Sequence, residues 1–339
     1  MMKKLSALTL PLLLAGLLIT APAAQAKQYT LTGRTMGTFY TVKFISAKRR
    51  IPNVWQKKIN TRLREVNRKM SMFQKESEIS RFNRTPAHEA FPVSADFYEV
   101  LRQSQALHQM TQGAWDGTLK PLVDLWGFGT RDWDDALPAP EAIAKALERT
   151  GFSHIRLEDR RLTKTRPGLT LDLGSIAKGY GVDAIANVLS QGGITDFLVE
   201  IGGELTARGK NRKGRPWSVG ISRPDKELAN QGIFKIIALN NQSVATSGNY
   251  RNFFEKDGKT YSHIIDPRTG YPVENQVVSA TVIARDCTFA DGLATALMVM
   301  PVDQGLKLVN GLDDVECLII QKQADGFLTS PSQGFPVKN

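Results

Sequence analysis

Asp172, Ser175 and Lys178 stand close together in the run LTLDLGSIAKGYGVDAIA, residues 169–186. Leu169 to Leu173 alternates as a strand does, and an Ala- and Ile-rich helical pattern follows from Ser175. The first turn of a helix presents backbone N–H groups and the positive end of the dipole. It attracts anions and is a poor place for a lysine. Lys178 falls there. It fits if a phosphate sits opposite; otherwise its side chain reaches to solvent and Ser175 is only an N-cap. Gly179 and Gly181 each cost a helix about 1 kcal/mol relative to alanine. Local rules broken together mark a candidate functional site. On this reading Lys178→Ala weakens ligand binding or turnover and leaves the fold intact.

Other stretches carry usable chemistry. In CTFADGLATALMVM, residues 287–300, Asp291 and Thr295 are four apart and share a helix face. A carboxylate and a hydroxyl are the hard oxygen donors that Mg²⁺ takes. The competing reading is a capping box of Thr288 and Asp291 opening a helix from about Phe289 to Met300. His263, one of four histidines, lies in the polar stretch YSHIIDPRTGYP, residues 261–272. An imidazole with a pKa near 6.5 suits a general base, and equally a structural role. Asp116-Gly117 signals a turn, and Trp115 beside it either stacks on a planar ring or fills the core. Gly202-Gly203-Glu204 after a strand reads as a bulge where backbone can approach a ligand.

These residues need a scaffold. Strand patterns run over 28–45 with breaks at Gly33 and Gly37, and over 155–157, 161–163, 169–173, 197–201, 217–221, 233–239, 259–265, 277–284 and 316–321. Helical patterns run over 54–70, 95–112 and 140–150. Short strands in hairpins mixed with scattered helices predict an α+β fold with a mainly antiparallel sheet. The dinucleotide fingerprint GxGxxG before a helix is absent.

The chain has 339 residues and a formal charge of +11. Its cations are interspersed with acids and no nucleic-acid motif occurs, so a soluble protein with a basic surface is expected. Lys3 and Lys4, the apolar run Leu5–Thr20 and Ala24-Gln25-Ala26 read as a signal peptide cleaved after residue 26. No cysteine is available there for lipidation. Export to the periplasm follows, with one domain over 27–339. Cys287 and Cys317 are the only cysteines, and either a bridge or two buried thiols suits them.

Taken together, the segments resemble the ApbE family of FAD:protein FMN transferases. The matching pieces are RTMGT (34–38), MSMFQKESEISRFN (70–83), GAWDGTLKPLVDLWGFG (113–129), LDLGSIAKGYGVD (171–183), VEIGGEL (199–205), SVATSGNYRNFF (243–254), YSHIIDPRTGYP (261–272) and SATVIARDCTFADGLATALMVM (279–300). The resemblance implies a T-fold-related α+β architecture with two intimate lobes. It implies Mg²⁺-dependent transfer of FMN from FAD to a Thr or Ser hydroxyl of an acceptor protein, with release of AMP. By motif, Met36, Phe73, Ala114, Trp115, Asp116, Asp172, Lys178 and Ile265 match FAD-contacting positions. Ser175, Asp291, Ala294 and Thr295 match the metal site, Ser175 and Ala294 through backbone oxygens. Many relatives have tyrosine where Phe73 stands; stacking survives that change and a phenolic hydrogen bond does not. Lys178, Asp291 and His263 are the expected catalytic residues, with His263 or a nearby carboxylate as base. The implied acceptors are membrane redox subunits such as those of Na⁺-translocating NADH:quinone reductase and Rnf-type complexes, or related flavin-bearing regulators. The family's acceptor motif ends Ser/Thr-Gly-Ala-Thr/Ser. Thr246-Ser247-Gly248-Asn249 lacks the terminal hydroxyl, which argues against self-modification. An FAD pyrophosphatase giving FMN and AMP, or a non-catalytic FAD-binding protein, are the alternatives.

Overall fold

The computed structural model describes residues 26–47, 52–129, 136–224, 232–249 and 252–336. The expected signal peptide, up to residue 25, and the motif residues Tyr250 and Arg251 lie outside them. The described chain opens with strands β1 (Lys27–Thr35) and β2 (Thr38–Ser46), helices α1 (Pro52–Met70) and α2 (Glu78–Arg84), strand β3 (Phe91–Pro92) and helix α3 (Ala95–Met110). Helices α4 (Lys120–Leu125) and α5 (Pro140–Leu147) lead to β4 (Ile155–Glu158), β5 (Arg161–Lys164) and α6 (Ala177–Gln191). Next come β6 (Phe197–Ile201), β7 (Glu204–Arg208), β8 (Trp217–Ser222), β9 (Ile233–Leu239), β10 (Ser243–Gly248), β11 (Phe253–Lys256) and β12 (Lys259–Ser262). The chain ends with β13 (Val277–Ala284), α7 (Cys287–Val299), α8 (Val302–Asn310), β14 (Glu316–Gln323) and β15 (Gly326–Pro331).

Eight strands form one sheet in the order β1-β2-β6-β7-β10-β13-β14-β15, every pair antiparallel. This is the antiparallel α+β fold that the sequence predicts. Alternation along β14 sends Cys317 and Ile319 into the cluster around α3 and α7. Leu318 and Ile320 join the cluster under β8 and β9. α7 is apolar nearly all round, as a helix inside a core must be. It packs on β10, β13, α6 and α3. Cys287 and Cys317 are buried free thiols in different clusters, so no bridge forms between them.

Four local expectations change. Gly33 continues β1, because a Cβ there would meet the Tyr40 ring at 2.5 Å across the hairpin. The break is Met36-Gly37 alone, both at positive φ. Residues 169–173 alternate in burial, with Leu169, Leu171 and Leu173 inside, yet they join no sheet. The side-chain amide of Asn83 stands in for a neighbouring strand. Its oxygen accepts the Leu171 N–H at 2.7 Å, and its nitrogen donates to the Leu171 carbonyl at 2.8 Å. α6 starts at Ala177 behind an Ile176 N-cap that offers no side-chain bond, so Ser175 does not cap it. Finally, α7 starts at Cys287, and Asp286 caps it by accepting the Phe289 N–H at 2.8 Å. The capping box of Thr288 and Asp291 therefore does not form.

The two helix glycines serve helix packing. A Cβ on Gly179 would lie 2.3 Å from the Cys287 carbonyl oxygen and 2.8 Å from Asp291 Cβ, both fixed parts of α7. At Gly181 the nearest atom is the mobile Met36 Cε, at 2.9 Å. Gly179→Ala is expected to destabilise the fold by about 3 kcal/mol, the upper range for overpacking. Urea titration should show a lower midpoint with an unchanged slope, and Gly181→Ala should cost visibly less.

Candidate active site

One cleft of about 590 Å³ gathers most of the residues singled out by the sequence. Ala114, Trp115 and Asp116 reach it from the loop between α3 and α4, and Asp172 and Ser175 from the segment before α6. Lys178 enters from α6, His263 and Ile265 from the segment after β12, and Asp291 and Thr295 from α7. Lys178 is in the first turn of its helix, as predicted.

The charge that answers Lys178 is Glu204, the first residue of β7. Its Oε1 lies 2.5 Å from Lys178 Nζ. The Gly202-Gly203 pair, both at positive φ, forms a two-residue hairpin turn between β6 and β7, not a bulge. That turn delivers Glu204 to α6. Burial pulls the Lys178 ammonium down, but the charges of Asp291 and Glu204 outweigh it and hold its pKa up at about 12. Lys178 therefore stays cationic at any working pH. Burial pushes the Glu204 carboxyl up, and the nearby Asp291 charge pushes it further, against the pull of Lys178. Glu204 Oε2 is buried and has no hydrogen-bond partner among the described residues.

Asp291 Oδ2 accepts the Gly179 N–H at 2.9 Å, a bond that the glycine's close approach permits. Burial raises the Asp291 carboxyl, and Lys178 opposes that shift. One turn on, Thr295 Oγ1 donates to the Asp291 carbonyl at 3.3 Å and lies 3.0 Å from the Ser247 hydroxyl of β10. A second carboxylate fixes the two helices. Asp183 of α6 accepts from the N–H groups of Cys287 and Thr288 at 2.9 and 2.8 Å, and from the Thr288 hydroxyl at 2.6 Å. Burial nonetheless pushes Asp183 up to about 6. This cap holds α7 in register with α6, and so Asp291 beside Lys178.

His263 Nδ1 lies 3.0 Å from the Asn252 carbonyl oxygen. A carbonyl only accepts, so Nδ1 carries the proton and Nε2 keeps its lone pair. Burial lowers the imidazole pKa, and the Lys178 charge lowers it further. Those are the properties of a neutral base. Asp172 Oδ1 accepts the Gly174 N–H at 2.8 Å and shapes the turn ahead of α6. Burial raises its carboxyl. Asp116 is committed to its own loop. It accepts from the Thr118 N–H at 2.8 Å, from the Thr118 hydroxyl and from the Phe152 N–H at 2.8 Å. Trp115, 1% exposed and edge-on to Phe152, fills the core and offers the cleft no open ring face.

Three of the expected site residues do not line this cleft. Met36 packs at Gly181 and borders a separate polar cavity with Arg34 and Asn67. Phe73, 88% exposed, sits on the turn between α1 and α2. Ala294 is fully buried, on the part of α7 that packs into the core.

The donor set suits Mg²⁺. Asp291 has one carboxylate oxygen without a hydrogen bond among the described residues, and the hydroxyl residues Thr295 and Ser247 line the same cleft. Lys178 pairs with Glu204 and also feels the Asp291 charge, and Glu204 keeps an orphaned oxygen. Among the described residues no cluster of three His, Cys, Asp or Glu side chains forms a closed metal cage. Mg²⁺ commonly binds through one or two carboxylates and completes its shell with substrate phosphate oxygens and water.

A permanent cation at a helix start, a carboxylate–hydroxyl pair and a neutral base around one cleft define a phosphate-handling transfer site on an antiparallel α+β fold. Residues 36–319 match the model of the ApbE family, and the chain belongs to that family. An FAD:protein FMN transferase of Vibrio cholerae is 42% identical over 95% of this chain and 96% of its own. One from Haemophilus influenzae is 38% identical over 94% of each. The solved flavin transferase ApbE of Vibrio cholerae superposes with a TM-score of 0.84 at 42% identity, covering 91% of this chain and 98% of that one. The apo flavinyl transferase ApbE of Pseudomonas stutzeri gives 0.83 at 36% identity, covering 92% and 96%.

Proposed function

We propose that this chain is an FAD:protein FMN transferase that uses Mg²⁺. The acceptor's Thr or Ser oxygen attacks the FMN-side phosphorus of FAD. A new phosphoester P–O bond forms, the bond from that phosphorus to the bridging oxygen breaks, and AMP leaves. The hydroxyl proton goes to His263 Nε2. Lys178 and the start of α6 hold the pyrophosphate. Mg²⁺ held by Asp291 and Thr295, with a backbone oxygen of Ser175, would offset negative charge on the phosphate oxygens. The observation that carries the reading is the convergence of Lys178, Asp291 and His263 on one cleft. Asp172 and Ile265 line the same cleft and would border the nucleotide. In-gel flavin fluorescence on an acceptor incubated with FAD and Mg²⁺ tests it; free FMN and AMP alone would indicate hydrolysis instead. The resemblance extends the proposal to cleavage after residue 26, a periplasmic location and a membrane redox acceptor. Among the described residues no helix is long and apolar enough to cross a membrane.

The base has a pH signature. It works unprotonated, so the rate rises as pH passes the imidazole pKa and then levels. Burial places that limb below the ordinary 6.5. Initial rates should therefore be flat from about pH 7 upward. His263→Ala should lower transfer by roughly 10²- to 10⁴-fold and remove the limb. Near-normal turnover with an unchanged profile would take His263 out of the mechanism.

A further inference from the structure

A second groove, of about 900 Å³, opens beside the cleft. The two share a wall one residue thick. Ser222, Gly248, Asn252 and His263 line the cleft, and their chain neighbours Arg223, Asn249, Phe253 and Ser262 line the groove. The groove thus adjoins the base, since Ser262 in its lining is the chain neighbour of His263. Among the described residues its charged lining is Arg223, Lys259 and Lys322 with Glu274, and Glu274 pairs with Lys259 at 2.6 Å. Phe253, Val273, Val278 and Phe327 add apolar surface. Ser262 is only 4% exposed, and its hydroxyl has no partner among the described residues.

The transfer reaction needs two substrates at His263. FAD, with its phosphates toward Lys178, takes up the cleft, so the acceptor must present its hydroxyl by another path. We propose that this groove seats the hydroxyl-bearing segment of the acceptor protein, an extended stretch with net negative charge, and leads its Thr or Ser to His263. This rests on the transferase reading above. Lys259 and Lys322 in the groove favour acidic flanks on that segment and steer its approach, an effect that salt screens.

The test uses the full mature chain, FAD, Mg²⁺ and a purified acceptor domain bearing a Ser-Gly-Ala-Thr segment. Initial rates are measured against acceptor concentration at low and high salt. Lys259→Glu combined with Lys322→Glu should raise the acceptor KM by about tenfold, flatten its salt dependence, and leave kcat and the KM for FAD within about twofold. Lys57→Glu, an exposed reversal on α1, should change none of these. A double variant whose acceptor KM matches that of Lys57→Glu overturns the groove and leaves the transferase reading standing. Failure of the wild-type chain to flavinylate the domain, with FAD converted only to FMN and AMP, overturns both.

Discussion

Asp291→Asn should abolish flavin transfer, by on the order of 10³-fold, and leave the protein folded. The asparagine oxygen can still accept the Gly179 N–H that Asp291 accepts at 2.9 Å, so the contact between α6 and α7 survives. Side-chain volume is conserved. Electrostatically the fold gains, because the Asp291 charge is among the influences that push the buried Glu204 carboxyl up. Without it, Glu204 pairs with Lys178 at lower cost, and stability should stay within about 1 kcal/mol of the parent. What is lost is the negative charge that Asp291 brings to the cleft it lines with Thr295. Calorimetry with Mg²⁺ should show weakened metal binding, and in-gel fluorescence should show almost no labelled acceptor. Transfer at more than about a tenth of the parent rate would remove Asp291 from the site.

That residue was legible because its signal is local. Asp291 and Thr295 stand four apart, and a helix places them on one face whatever surrounds it. Lys178 was legible for the same reason, as a cation at a strand-to-helix junction. The sheet class was legible from strand spacing, since hairpin-connected strands pair with their neighbours. What stayed hidden depends on contacts far apart in the chain. Glu204 reads in the sequence as part of a glycine bulge, and only the β6–β7 hairpin swings it onto Lys178. Asp183 caps α7 from another helix, which no spacing rule within α7 reveals. The strand pattern at 169–173 was true to its alternation, but the side chain of Asn83 took the partner strand's place. Helix α8 escaped because Gly305 interrupts its pattern; that glycine is where α8 crosses Leu297 of α7, 2.8 Å from a Cβ placed there. The tautomer of His263 needed the Asn252 carbonyl, which the β11–β12 hairpin supplies.

The pairing of Lys178 with Glu204 overturns the expectation that Lys178→Ala spares the fold. Removing the ammonium leaves Glu204, 3% exposed, and Asp291 buried side by side with no cation between them. Breaking a buried pair from one side costs about 3–5 kcal/mol; the Lys178 side chain is 31% exposed, and water discounts the loss to about 2 kcal/mol. The sign with pH is fixed. Burial holds both carboxyls above their ordinary range, and losing Lys178 holds them higher. A carboxyl raised on folding stabilises the fold below its unfolded pKa, and that contribution disappears as pH rises through the folded value. Lys178→Ala should therefore be most destabilised near pH 8 and recover much of the loss near pH 5, about one unit above an unfolded carboxyl. Adding Glu204→Gln removes one of the two competing charges. The double variant should regain at least about half of the lost stability at pH 8 while transfer stays absent, because Lys178 is still missing from the phosphates. Urea midpoints of the parent, both single variants and the double variant, each taken at the two pH values, check this. A Lys178→Ala penalty that is equal at both, or a double variant no more stable than Lys178→Ala, would mean that Glu204 is not the partner that keeps Lys178 in the first turn of its helix.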